Sequence, residues 1–204
     1  MIINDKKTLK SVLLTDAKNI RFAYYILSDT HSIKGYLRYQ IMKIKHIIFS
    51  NPISDQKYIW KYIKSMRYVE YYETLRKKHK YIYFIPSAYY HVQLRKYARI
   101  TGFQIPPFTC GKGLTIWHWG TIIVNGATKI GDNCILHTGV LLGHKKPNEG
   151  CPKIGNNVFI GSGTKIIGNI TVGDNVIIGQ NCVITKDIPA NSIIVNGTTL
   201  RKLK

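Results

Sequence analysis

Six branched aliphatic residues follow one another at six-residue intervals: Ile154, Ile160, Ile166, Val172, Ile178 and Ile184. Gly155, Gly161, Gly173 and Gly179 directly follow four of them. Self-similarity at a short fixed period marks a stacked repeat architecture. One aliphatic, a neighbouring glycine and a small residue four positions on (Thr164, Cys182) describe a flat turn of parallel strand. Three such turns close a triangular coil of 18 residues, and each aliphatic side chain stacks on its copy one coil away at the ~4.8 Å strand spacing.

The repeat occupies only half of a chain of 204 residues. All 14 tyrosines lie within residues 24–97, whereas 16 of the 17 glycines follow residue 101, Gly35 being the exception. The expected division is therefore a basic, Tyr-rich helical domain at 1–102 and a β-helix domain at 103–204. In the first, Ile59, Ile63, Met66, Val69 and Tyr72 form one apolar stripe at helical spacing. Pro86 and Gly102 suit the start and stop of a helix over 87–100, and residues 17–49 also read as helical. The tyrosines read as amphipathic packing residues with their hydroxyls at the rim. In the second half, Ile105, Gly111, Trp117 and Ile123 run at six. After one inserted residue, Ile130, Leu136 and Leu142 continue the period. The polar, Pro-containing stretch 143–153 reads as an excursion from the coil. Residues 198–202 leave the repeat and are expected across or beyond the last coil.

The formal net charge is +20, with 20 Lys/Arg against 6 Asp/Glu in residues 1–100. Such a field draws anionic partners, but the lysines are scattered rather than blocked, so a solvated basic surface is the alternative reading, and nucleic acid is not the expected partner. Cys110, Cys134, Cys151 and Cys182 form no CxxC pair and read as small core or loop thiols of a reducing cytoplasm. The start MIINDKKTLK has no apolar signal region, and no run of 18 apolar residues suggests a membrane span.

The segments FQIPP (103–107), GLTIWHWGTIIVNG (113–126), KIGDNCILHTGVLLG (129–143) and the stretch 152–189 resemble the hexapeptide-repeat acyltransferases. Within these the likeness is to the serine O-acetyltransferase branch, and most of all to the capsule and lipopolysaccharide O-acetyltransferases. The resemblance implies a mostly β fold with a helical N-terminal part and a left-handed parallel β-helix, against the usual right-handed crossover rule. It implies acetyl-CoA as co-substrate with no metal. It also implies a homotrimer, which could pair into a dimer of trimers.

Acetyl transfer to a hydroxyl needs a base for the proton, donors for the tetrahedral oxyanion, and two substrates held in line. His118 aligns with the family's catalytic histidine and is the expected base; a neutral imidazole suits that task near pH 7. Read from the six-residue period, His137 follows Leu136 as His118 follows Trp117, so the two histidines should stack on one edge. His137 is thus a second catalytic candidate, or a structural member of the ladder. Trp119, Gln104 and His144 are candidates for binding the acceptor, Trp119 by stacking on a sugar ring. By position in the family, Gly143, Ser162 and Gln180 should line the pantetheine groove. Lys165, Lys186, Arg201 and Lys202 are candidates for the CoA phosphates.

Gln104 and Trp117 replace two carboxylates of serine acetyltransferases, and Cys151 replaces a histidine. These differences favour a sugar hydroxyl of a surface polysaccharide or its precursor as acceptor, with free serine as the alternative. On that reading the basic half would approach an anionic glycan or glycolipid, or the inner membrane face. A zinc lyase or a non-catalytic scaffold on the same fold completes the set of readings.

Overall fold

A computed structural model describes residues 2–19 and 56–196, together with the backbone of 198–202. Three helices come first: α1 (Lys6–Asn19), α2 (Gln56–Arg76) and α3 (Phe84–Thr101). Of the helix expected over 17–49, only residues 17–19 fall among those described. Helix α3 begins three residues before the expected Ser87, so Pro86 lies inside its first turn, where a missing N–H leaves no internal bond unmade. Gly102 ends it in the left-handed conformation, φ 80°, and its N–H bonds to the Ala98 carbonyl.

The remaining chain winds through three parallel sheets. One contains β1 (Phe103–Gln104), β3 (Ile122–Val124), β6 (Leu141–Gly143), β9 (Lys165–Ile167) and β12 (Val183–Ile184). The second contains β4 (Lys129–Ile130), β7 (Lys153–Ile154) and β10 (Thr171–Val172). The third contains β2 (Thr115–Ile116), β5 (Ile135–Leu136), β8 (Phe159–Ile160), β11 (Ile177–Ile178) and β13 (Ser192–Val195). Here β14 (Thr198–Lys202) folds back antiparallel on β13, which covers the last coil.

Inside the prism, Ile130, Ile154 and Val172 form one stack, and Leu142, Ile166 and Ile184 another. In the first coil the expected register is off by one residue. Ile116, not Trp117, stands opposite Leu136; Cys110, not Gly111, opposite Ile130; and Val124, not Ile123, opposite Leu142. Ile116 is fully buried, whereas Trp117 is 44% exposed. The cause is a longer turn at 117–121. It sets Ile116 and Val124 eight positions apart, where a regular coil sets successive inward residues six apart.

The corner between the second and third sheets is held by polar stacks. Asn133, Asn157, Asn175 and Asn191 all have φ near +55°. Their side-chain amides donate in sequence, Asn157 to Asn175 and Asn175 to Asn191 at 3.0 Å. Asn19, at the end of α1, joins the top of this ladder through the Gly113 carbonyl at 2.9 Å. Beside it the glycines permit coils to touch: a Cβ on Gly155 would lie 2.7 Å from the Gly173 carbonyl carbon. Gly155→Ala is therefore expected to destabilise the fold by about 1–3 kcal/mol, because the coils must part. Thermal unfolding checks this, and an unchanged midpoint would contradict it.

The helices share one core with the first coil, from Ile59, Ile63 and Met66 to Phe103, Leu114 and Ile116. Tyr62 both donates to the Ile105 carbonyl (2.8 Å) and accepts from its N–H (3.0 Å). Arg67, wholly buried, bonds Asp16 at 2.8 Å, Glu70 at 3.0 Å and the Cys110 carbonyl at 3.0 Å. Asp16 in turn accepts from the backbone of Gly113 and Leu114, and Glu70 from that of Phe108. Burial alone would discharge Arg67, but the charges of Asp16 and Glu70 outweigh it and hold its proton. Tyr68 stacks on Tyr90 with ring centres 4.4 Å apart, so these tyrosines join α2 to α3.

Candidate active site

The turn at 117–121 crosses from the third sheet to the first and carries His118. Both helical neighbours grip it. Gly120 N–H bonds to the Thr101 carbonyl at the end of α3, at 2.8 Å. Its φ of 135° is open only to glycine, and a Cβ would meet Thr138. From α2, the Gln56 amide donates to the Trp117 carbonyl at 3.1 Å. Tyr58 stacks on Trp119 with centroids 6.0 Å apart and planes 17° apart. The imidazole of His118 is exposed on this braced turn.

His137 lies on the next coil. Because Ile116 pairs with Leu136, the residue directly across from His137 is Trp117, not His118. The expected direct stack of two imidazoles is thus replaced by an edge contact between Trp117 and His137, 4.8 Å between centroids. Phe159 covers His137 from the following coil at 5.0 Å. Burial between these rings, and secondarily the charge of nearby His118, hold the His137 pKa below the ordinary imidazole value. Its Nε2 is buried and has no hydrogen-bond partner among the described residues. His137 therefore presents a neutral imidazole with spare bonding capacity beside the exposed His118.

This shift has a sign for stability. A histidine held below its ordinary value stabilises the fold above that value, and the contribution is lost as pH falls through the depressed one. Phe159→Ala removes one wall of the enclosure and should return His137 toward ordinary imidazole titration. Histidine NMR titration reads this directly; an unmoved midpoint would show that burial by Phe159 is not the cause.

The other sequence-predicted residues divide between two corners of the prism. Gly161-Ser162 and Gly179-Gln180 follow Ile160 and Ile178, so they continue the His118–His137 edge over the next two coils. Lys165 turns back toward that edge, its Nζ 2.7 Å from the Gly163 carbonyl. Gly143, His144 and Lys186 occupy the other end of the first sheet, where His144 Nδ1 lies 3.1 Å from the Asn125 amide. Gln104 is exposed on β1, opposite Ile123. The backbones of Arg201 and Lys202 pair with Ile193 and Ser192, while their side chains lie outside the described residues. Among the described residues, no three His, Cys, Asp or Glu side chains converge as a metal site would need. No described helix is long and apolar enough to cross a membrane.

Comparison with known proteins shows the family of the chain. Residues 151–186 match the family described as bacterial transferase hexapeptide (six repeats). A serine acetyltransferase of Helicobacter pylori is 38% identical over 119 residues, 56% of this chain and 67% of that protein. The chain belongs to the serine acetyltransferase family.

Another serine acetyltransferase, from Synechococcus elongatus, is 35% identical over 99 residues, covering 47% of this chain and 41% of that protein. Among solved structures, the serine acetyltransferase of Neisseria gonorrhoeae superposes with a TM-score of 0.59 at 23% identity, over 96% of this chain and 68% of its own. That of Brucella abortus, in complex with coenzyme A, superposes at 0.56 and 19% identity, over 98% and 84%. These likenesses establish the fold, a left-handed parallel β-helix preceded by helices.

Membership in the serine acetyltransferase family overturns the sugar-acceptor expectation, because the curated and solved relatives named here are serine acetyltransferases. Trp119, the residue that reading set beside a sugar ring, stacks on Tyr58 and stays 42% exposed. Gln104 lies opposite Ile123 and Trp117 against His137, and neither position identifies a hydroxyl acceptor.

Proposed function

We propose that this chain transfers an acetyl group from acetyl-CoA to the hydroxyl of L-serine, with His118 as general base. The observation that carries the reading is the 38% identity to a serine acetyltransferase over two thirds of that protein's length. The exposed imidazole on a turn braced by two helices supports the role given to His118. In the reaction His118 takes the serine hydroxyl proton as the oxygen attacks the thioester carbonyl. The tetrahedral oxyanion then collapses and expels the CoA thiolate, which recovers the proton from the imidazolium. His137, neutral and half-buried beside this turn, is the second candidate to hold the acceptor oxygen or donate to the oxyanion; its Nε2 is buried and reaches an oxygen only if Trp117 or Phe159 shifts. Neither Gln104 nor Trp117 can balance an imidazolium by charge.

The small-residue edge at Gly161-Ser162 allows a pantetheine chain to lie close against the backbone. Gln180 and Lys165 continue that edge. Gly143, His144 and Lys186 are on another corner of the same prism. They can reach this groove only from a neighbouring copy, which favours a site completed between subunits of a trimer. Placement in the cytoplasm belongs to the same reading.

Incubating the purified chain with acetyl-CoA and following thiol release with and without L-serine tests the acceptor. Serine-dependent release is expected; release that ignores L-serine would overturn the assignment.

A further inference from the structure

The turn joining α2 to α3 places large apolar side chains in water. Tyr81 is 87% exposed, Ile82 71%, Phe84 57% and Ile85 77%. Tyr89 and Val92 extend the patch along α3, since Ile85, Tyr89 and Val92 recur at helical spacing on one face. The turn is well held from beneath. Tyr83, half-buried, packs against Tyr72 and His79, and Glu73 accepts hydrogen bonds from Ser87 and His91. The apolar residues are therefore presented by an ordered scaffold. A contiguous exposed apolar patch of this kind marks an interaction site.

The surrounding charge selects the occupant. Lys77, Lys78, His79 and Lys80 immediately precede the patch and are all exposed. Arg95 and Lys96 follow it along α3 and are exposed too. No Asp or Glu occurs from Thr74 to Gly131. A second copy docking here about a two-fold axis would set lysines against lysines, with no carboxylate nearby to separate them. A nucleic acid would meet the lysines but leave Ile82 and Ile85 without an apolar partner. A bilayer with anionic headgroups meets both demands: apolar side chains enter the headgroup–acyl boundary while the lysines reach lipid phosphates.

We propose that residues 77–92 form a peripheral membrane-docking element that inserts Tyr81, Ile82, Phe84 and Ile85 into an anionic bilayer surface. This rests on the helical half alone and is independent of the acceptor used at His118. The test is co-sedimentation of the full chain with vesicles of phosphatidylcholine alone, or with 30% phosphatidylglycerol (about one anionic lipid in three). The parent should partition onto the anionic vesicles, and about 0.5 M NaCl should release much of it by shortening the screening length. The variant Ile82→Ser/Ile85→Ser, and separately Lys77→Gln/Lys78→Gln/Lys80→Gln, should each bind at least about tenfold more weakly. Both variants should keep the parent's circular dichroism and its rate of thiol release, since the altered side chains face solvent. Equal binding of parent and variants, or equal binding to neutral and anionic vesicles, would overturn the proposal. So would a smaller assembly of the isoleucine variant in sedimentation velocity with unchanged vesicle binding, which would assign the patch to contacts between copies.

Discussion

Replacing Arg67 with methionine is expected to destabilise the protein by about 3–5 kcal/mol. The thermal midpoint should fall by on the order of 10 °C. The guanidinium is wholly buried and is bonded to two carboxylates and to carbonyls of the first coil. Methionine fills much of the volume but leaves Asp16 and Glu70 buried without their cation. Those carboxylates cannot simply be dispensed with, because Asp16 also receives the Gly113 and Leu114 N–H groups and Glu70 that of Phe108. Removing one member therefore costs more than the pair interaction itself. Arg67→Lys should recover only part of the loss, since an ammonium lacks the planar fork that reaches both acids and both carbonyls. Differential scanning calorimetry of the two variants reads the order directly. If methionine proved as stable as arginine, the cluster would not be what fastens α1 and α2 to the coil.

His118→Ala should lower kcat for acetyl transfer by about 10²–10⁴-fold, the range that a positioned general base supplies. The KM for acetyl-CoA should change little, because the imidazole meets the acceptor proton and not the body of the cofactor. The side chain is exposed on its turn, so the variant should keep the parent's secondary structure and assembly. His137→Asn tests the neighbouring role and should show a smaller loss. Retention of full activity by His118→Ala would remove the residue from the mechanism.

The regular coils were legible because each inward slot repeats the same demand. Ile154, Ile160 and Ile166 occupy equivalent places, and a six-residue count finds them. The first coil misleads that count because Trp117 and Ile123 continue the six-residue spacing from Gly111, and either could fill a slot by size. A better guide was present in the turn residues. Gly113, Asn133, Asn157 and Asn175 all adopt positive φ, and each stands three residues before the inward Ile116, Leu136, Ile160 and Ile178. Aligning on those left-handed positions gives Ile116 directly and places Trp117 on the surface. It also makes Trp117 the neighbour of His137. The Asp16–Arg67–Glu70 cluster left no comparable trace. Its members belong to two helices and lie 51 residues apart across the Asp16–Arg67 bond, so no local pattern unites them. The stack of Tyr58 on Trp119 is equally hidden, since its two rings come from α2 and the turn at 117–121.

A crystal structure of this chain with coenzyme A, in its native assembly, tests the central claim most directly. The sulfur should lie at the corner formed by His118 and His137, with the pantetheine running down past Ser162. An acceptor oxygen placed beside it should come within about 3 Å of the His118 imidazole. A sulfur found instead at the opposite corner, next to His144 of the same chain and remote from every His118, would contradict the account.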